Sequence, residues 1–120
     1  MTKKVKPGMS ARKIATLHYE LLLDNKKKEW VKTIKKSLRK AVDSPSGSPY
    51  YWWKTGRRYQ KQYGYSYKYK HKDERQSSAR HIKLFFHRLN KEGKPQGQVP
   101  IHIIKDEDDD DEWRVEVSSW

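Results

Sequence analysis

The 120-residue sequence contains no cysteine, which excludes disulfide bonds, cysteine-ligated zinc and catalysis by a thiol. It contains no apolar run near the roughly 18 residues that a membrane-spanning helix needs. The basic N-terminal segment is not followed by the apolar stretch of a secretory signal. We therefore expect a soluble, unprocessed protein of the cytoplasm, and for a viral protein the host cytosol or the virion.

Apolar residues are scarce, at 33% of the chain, and only two are Phe. Five Trp and eight Tyr can nevertheless supply one modest core, because each ring buries a large area. At this length we expect a flexible basic arm at residues 1–9 and a single domain at residues 10–120.

Acidic residues are scarce in most of the chain. The formal net charge is +13, but residues 1–105 carry +20 and residues 106–120 carry −7. A field of this size attracts polyanions such as nucleic acid, an anionic membrane surface or an acidic protein. The alternative is that the lysines only keep a small domain in solution.

Two amphipathic helices are predicted near the N-terminus. Ser10 offers an N-cap, and apolar residues follow at helical spacing, which predicts a helix over residues 10–23. A stripe of Trp30, Ile34 and Leu38 predicts a second helix that reaches residue 42. Four cations off this stripe are candidates for polyanion binding, the alternative being an ordinary solvated face: Lys32, Lys35, Lys36 and Arg39.

Residues 43–49 (DSPSGSP) are predicted to be a linker that ends the helical part, because Pro and Gly disfavour helix. The segment from Tyr50 to Lys72 begins either as a short helix or as irregular chain, and it interleaves rings with cations. That mixture suits single-stranded nucleic acid, although the rings could instead form the core. The candidate binding cations are Lys54, Arg57, Arg58, Lys61, Lys68 and Lys70. The candidate stacking or interface rings are Tyr50, Tyr51, Trp52, Trp53 and Tyr59.

Four stretches with a period of two predict an antiparallel sheet. They cover residues 63–71, 81–89, 99–105 and 113–120, and Pro100 argues for an edge position or a bulge. The residues expected to face the core are Ile82, Leu84, Phe86, Ile101, Ile103, Val115 and Val117. Helices followed by an antiparallel meander predict an α+β fold, in which the N-terminal helices pack on one face of a curved sheet.

The order of these elements resembles the NTF2-like family. The resemblance is carried by LLLD (21–24) ahead of KEW (28–30), and by VPIHII (99–104) ahead of WRVEV (113–117). It implies a cone, that is, a curved sheet around a long helix, with a pocket open at one end. Some members are isomerases or dehydratases with an Asp or His in that pocket, and many others use the fold for protein contacts. The pocket candidates here would be His18, His81, His87 and His102.

No metal site is expected, because the histidines lack HxH or HExxH spacing and no cysteine is present to complete a site. The acidic run at residues 106–112 (DEDDDDE) lacks the glycine of a calcium loop. We expect a solvated hairpin loop, or a loop that folds against the basic surface or docks on a cationic partner. The docking residues would be Asp108, Asp109, Asp110 and Asp111.

Three functions from different classes fit these features. The first is a small basic, non-enzymatic protein without cofactor that binds nucleic acid or another polyanion, for which a viral or mobile-element origin fits the size and charge. The second is a structural or adaptor subunit of a homo-oligomer or a larger assembly such as a virion. The third is an NTF2-like pocket enzyme. No RNP, KH, zinc-finger or helix-turn-helix signature supports sequence-specific reading of bases.

Overall fold

A computed structural model describes residues 3–120, in which helices precede a four-stranded antiparallel sheet. This arrangement confirms the predicted α+β class. The helices are α1 (Ala11–Leu23), α2 (Lys27–Val31) and α3 (Ser48–Tyr63), with a 3-10 helix (Lys36–Ala41) between α2 and α3. The strands, adjacent in chain order, are β1 (Ser66–Lys72), β2 (His81–Leu89), β3 (Pro95–Asp106) and β4 (Glu112–Val117). No helix within residues 3–120 has the length and apolar character needed to cross a membrane.

Helix α1 is the central helix, and it forms where the sequence predicted it. The Ser10 hydroxyl accepts a hydrogen bond from the Lys13 backbone N–H at 3.2 Å, which caps the first turn. Ile14, Leu21 and Leu22 are fully buried. The helix contacts β1, β3 and β4 as well as α2 and α3, so it covers one face of the sheet.

The predicted continuous second helix is wrong. Helix α2 ends at Val31, and the chain then runs beside β4, where the Val115 N–H donates to Thr33 O at 2.8 Å and the Lys35 N–H donates to Val115 O at 2.9 Å. These contacts demand extended backbone, so the chain becomes helical again only at Lys36. The predicted cations of residues 32–39 therefore do not share one helix face.

The expectation that the helical part ends at residue 49 is also wrong, because α3 begins at Ser48 and is 16 residues long. Pro49 lies in the first turn, where its missing N–H costs no hydrogen bond. Gly64 ends the helix with a φ of 67°, a conformation that glycine adopts without strain. Gly56 allows a close approach to the core, since a Cβ there would lie 2.8 Å from Leu22 and 2.9 Å from the Trp120 ring.

The strands follow the predicted alternation, with shifts at three ends. Strand β4 ends at Val117 instead of residue 120. Strand β1 begins at residue 66 instead of 63 because α3 continues through Tyr63, and β3 begins early, at Pro95. Strand β3 lies inside the sheet, but its pairing with β4 stops at His102, opposite Val117. Pro100 lies beyond that last pair, so one side of the strand is locally an edge at the proline.

Six of the seven predicted core positions lie at least partly inside. Five are buried and Ile82 is partly buried, but Val117 is 43% exposed, contrary to the prediction. A register shift between His102 and Ile103 interrupts the alternation and pairs Val117 with His102. The buried C-terminal side chain is instead Trp120, whose ring lies 5.6 Å from that of His18 and 5.1 Å from that of Tyr19.

The described part of the expected flexible arm, residues 3–9, lies against the domain. The Val5 N–H donates to Glu29 Oε2 at 3.0 Å, and the Gly8 N–H donates to Glu112 at 3.0 Å. Lys3 Nζ lies 2.8 Å from Asp24 Oδ2. Acidic residues from two distant parts of the chain thus hold this basic segment.

Candidate polyanion-binding surface

One face of α3 carries exposed cations. Lys54, Arg58 and Lys61 are separated by four and three residues, which places them in one row on a helix, and all three are exposed. Tyr51 begins the same row and is 49% exposed. We call these four residues the α3 basic face. The other side of the helix packs inward through Gly56, so α3 separates the core from a cationic surface.

The α3 basic face lacks acidic partners. Residues 44–72 contain seven Lys or Arg and no Asp or Glu. Within residues 3–120, none of the three α3 basic face cations forms a salt bridge. Arg58 and Lys61 line a shallow surface depression together with Arg57, Gln60 and Gly64. Their positive charge therefore faces solvent without internal compensation.

The cations predicted in residues 32–39 have a different environment. Lys32 Nζ lies 2.8 Å from Glu29, Lys35 Nζ lies 3.5 Å from Glu116, and Arg39 Nη2 lies 2.6 Å from Asp109. Lys36 is exposed, and its backbone N–H donates to Asp106 at 2.8 Å. The chain's own carboxylates thus compensate most of the charge in this segment.

Arg57, predicted as a binding residue, supports the fold. Its Nη1 donates to the Leu22 and Leu23 carbonyl oxygens at 3.0 and 3.1 Å, which satisfies the C-terminal end of α1. Lys68 and Lys70 belong to β1, whose Tyr67 and Tyr69 pack into the core. Lys68 therefore points to the opposite face of the sheet, away from α1.

The structure separates the predicted rings into two groups. Trp52 and Trp53 are partly buried against the core, and the Trp53 ring lies 5.0 Å from that of Trp30. These two rings therefore follow the alternative in which the aromatic residues form part of the core. Tyr50 and Tyr51 lie at the solvent side, edge to face, 5.1 Å apart. Tyr51 thus lies at the surface, and the two Trp rings pack against the core.

A cluster of three tyrosines lies where α3 ends. The rings of Tyr59, Tyr63 and Tyr65 lie within 6.0 Å of one another, and Tyr63 is 50% exposed. We call these residues the tyrosine cluster. Tyr63 and Tyr65 were expected on a strand, not in the site. Gly64 was the signal that could have placed them, because a glycine just after a helical stripe marks a C-cap.

The acidic run forms a hairpin loop that binds cations of its own chain. Asp109 Oδ2 accepts from Arg39 Nη2 at 2.6 Å and from Arg114 Nε at 2.7 Å. Burial opposes ionisation of Asp109, but these hydrogen bonds outweigh it and lower the pKa of the carboxyl. Asp111 pairs with Arg80. Asp108 and Asp110 are exposed and have no ion-pair partner within residues 3–120.

The candidate histidines do not all converge on one site, although two of them are in contact. His18 is fully buried between Trp30 and Trp120, and burial lowers its pKa to about 3. His81 Nε2 and His102 Nδ1 share a hydrogen bond of 2.9 Å, and burial together with the nearby His81 lowers the pKa of His102. No three His, Asp or Glu side chains within residues 3–120 lie close enough to hold a metal ion.

Side chains fill the space between α1 and the sheet, where the family resemblance implied a pocket. Tyr19, Phe86 and Ile101 occupy this space with 1% exposure or less. The Tyr19 ring lies 4.7 Å from that of Phe86 and 4.6 Å from that of Tyr67.

No protein-family model, no curated protein and no solved structure matches the chain. The NTF2-like resemblance therefore stays a prediction from the sequence.

Proposed function

We propose that the protein is a non-enzymatic nucleic-acid-binding protein whose α3 basic face contacts the phosphate backbone. One observation carries the proposal: Lys54, Arg58 and Lys61 form an exposed row without carboxylate partners, in a stretch of 29 residues that has no acid. Most of the cations in residues 32–39, by contrast, already have acidic partners.

The dimensions of the row support phosphate binding. At a rise of 1.5 Å per residue, Lys54 and Lys61 are about 10 Å apart along the helix axis. This length exceeds the spacing of neighbouring charges along a nucleic-acid backbone, so the row can contact more than one phosphate of one strand. Contacts of this kind fix affinity and orientation without reading sequence.

The acidic loop supports the same assignment. It occupies Arg39, Arg114 and Arg80 on its side of the molecule, which lowers the attraction of a second polyanion there. The cations of the α3 basic face have no such partners within residues 3–120 and keep their attraction for a polyanion. We therefore expect one strand of nucleic acid to bind along α3.

The test is fluorescence anisotropy at low salt with labelled single-stranded DNA. The variant Lys54→Glu, Arg58→Glu, Lys61→Glu should lose about 10- to 100-fold in affinity, since exposed ion pairs contribute up to about 1 kcal/mol each. The control is Lys26→Glu, Lys28→Glu, Lys40→Glu, three exposed cations whose reversal changes net charge by the same amount.

Lys26 and Lys28 suit the control because they line a depression that also contains Asp24 and Glu29. The control should lose several-fold less than the α3 variant. Thermal unfolding of both variants verifies that they fold. Equal losses in two folded variants would contradict a localised site.

A structural subunit is the second candidate, and the sheet face away from α1 favours it. Val117 on this face is 43% exposed, and Phe85 and Ile104 on the same face are partly exposed. An apolar interface of this type weakens little with salt, whereas phosphate binding weakens steeply. Sedimentation without nucleic acid, at low and high salt, separates the two functions.

A further inference from the structure

We infer that Tyr63 is a stacking site for an unpaired nucleobase, which makes the protein prefer single-stranded nucleic acid over a duplex of equal length. This inference rests on the proposed function and names its substrate class. It is carried by the geometry of the tyrosine cluster and by the cations around it.

Tyr63 has one ring face covered and the other side open. Its ring lies 5.0 Å from that of Tyr65 at an interplanar angle of 29°, which is a stacked arrangement. Tyr59 contacts it edge-on at 5.9 Å and 66°. Since Tyr63 is still 50% exposed, a flat base can extend the stack on the free side.

The ring behind Tyr63 is held in place. The guanidinium carbon of Arg88 lies 4.7 Å from the centre of the Tyr65 ring, so a cation contacts the ring on which Tyr63 stacks. Arg88 is itself fixed by hydrogen bonds to the Gln96 carbonyl at 3.1 Å and the Trp120 carbonyl at 3.3 Å. A stacking platform that is ordered before binding loses little conformational entropy when a base arrives.

Cations lie beside the platform, where the phosphates of a stacked nucleotide would pass. Arg58 of the α3 basic face is exposed, and its guanidinium carbon lies 5.6 Å from the centre of the Tyr59 ring. Lys91 lies at the turn between β2 and β3 and packs closely on Gly64. A Cβ added to Gly64 would lie 2.9 Å from the Cβ of Lys91. The α3 basic face thus contacts the tyrosine cluster through Arg58, and one strand can reach both.

Duplex nucleic acid cannot use this site. In a duplex each internal base is stacked on both sides and paired, so no internal base has a face free to meet Tyr63. A single strand can splay its bases onto aromatic rings while its phosphates stay on the cationic surface. Phosphate contacts along α3 serve both forms, and Tyr63 serves only the single strand.

Tyr51 provides a matched control for Tyr63. The two side chains have nearly equal exposure, 49% and 50%, and both belong to α3. Tyr51, however, meets Tyr50 edge to face at 89° and is not backed by a parallel ring. The inference therefore assigns the stacking to Tyr63 alone.

The experiment compares Tyr63→Leu, Tyr63→Phe and Tyr51→Leu in anisotropy titrations with oligo(dT) of about 12 nucleotides and with a duplex of equal length. Tyr63→Leu should weaken single-strand binding by about 5- to 100-fold, the range for loss of one stacked base. Its duplex affinity should stay within about twofold of wild type, because the lysines are intact. Tyr63→Phe and Tyr51→Leu should bind both probes as wild type does.

Three results would overturn the inference: unchanged single-strand affinity in Tyr63→Leu, equal losses for single strand and duplex, or an equal loss in Tyr51→Leu. Failure of the proposed function has a different signature. In that case the wild-type protein binds neither probe, or reversal of Lys54, Arg58 and Lys61 leaves its affinity for both probes unchanged.

Discussion

His18 is a fully buried titratable residue whose two ring nitrogens both have hydrogen-bond partners. The Thr33 hydroxyl donates to the Trp30 carbonyl at 2.6 Å, so it can only accept from His18 Nδ1, which lies 2.7 Å away. Nδ1 therefore carries the proton, and Nε2 accepts from the Ser118 hydroxyl at 2.9 Å. Both ring nitrogens of the neutral imidazole are satisfied, which suits a structural role for this residue.

The low pKa of His18 predicts that the protein loses stability in mild acid. The folded value, about 3, lies below the usual 6.5, so below pH 6.5 the unfolded chain binds the proton more strongly. Stability contributed by neutral His18 is complete above about pH 6.5 and falls continuously toward pH 3. Between pH 7 and pH 5 the loss should be about 2 kcal/mol, measured by denaturant unfolding.

Two variants identify the residue responsible. His18→Gln should flatten this part of the pH dependence, whatever its own stability, because glutamine does not titrate. His87→Gln, a change on the other face of the sheet, should leave the slope as in wild type. A wild-type stability that is the same at pH 7 and pH 5 would show that His18 is not held neutral.

Residue identity alone indicated part of the site. Lys54, Arg58 and Lys61 were recognisable as candidates because they lie among rings and far from acids in sequence. That Arg57, their neighbour, is engaged with the end of α1 depends on where α1 ends in space. The exposure of Tyr63 likewise depends on the helix stopping at Gly64.

At the scale of elements, sequence patterns predicted correctly those helices and strands that depend on interactions between near neighbours in the chain. The Ser10 cap and the alternation of residues 81–89 depend on near neighbours, and α1 and β2 lie where the sequence indicated. Pro49 was interpreted as a helix breaker, although proline in a first turn is compatible with helix. The break after Val31 could not be predicted, because it results from pairing with Val115, a residue more than 80 positions away.

The acidic loop is an element whose role depends on one carboxylate. Asp109→Asn removes the charge that faces Arg39 and Arg114, and Arg114 is only 7% exposed in its side chain. We expect a loss of about 1–3 kcal/mol in the free energy of unfolding, since a largely buried cation would lose its partner. Urea unfolding of Asp109→Asn measures this loss directly.

Asp108→Asn is the matched control, because Asp108 is exposed in the same loop and makes no ion pair within residues 3–120. Its stability should stay within about 0.5 kcal/mol of wild type. Both substitutions change the net charge equally, but only Asp109→Asn releases Arg39 and Arg114 from an ion pair. Asp109→Asn should therefore gain more affinity for DNA than Asp108→Asn. Equal stability and equal affinity in both variants would reduce the loop to a solvated turn.

For the whole molecule, the distribution of charge along the chain says more about where a polyanion would bind than the net charge does. The net charge of +13 combines a body of +20 with a C-terminal segment of −7. That segment compensates cations near β4, while the α3 basic face stays uncompensated. The proposed function predicts that a long polyanion binds along α3 with an affinity that depends on salt.

The most direct test of that account is the slope of log affinity for single-stranded DNA against log salt concentration. Each phosphate contact contributes about −0.7 to this slope for a single strand. The variant with Lys54, Arg58 and Lys61 changed to Glu should have a slope shallower than wild type by about 2, corresponding to three lost contacts. The control with Lys26, Lys28 and Lys40 changed to Glu should keep nearly the wild-type slope. Equal slopes for all three folded proteins would contradict binding through α3.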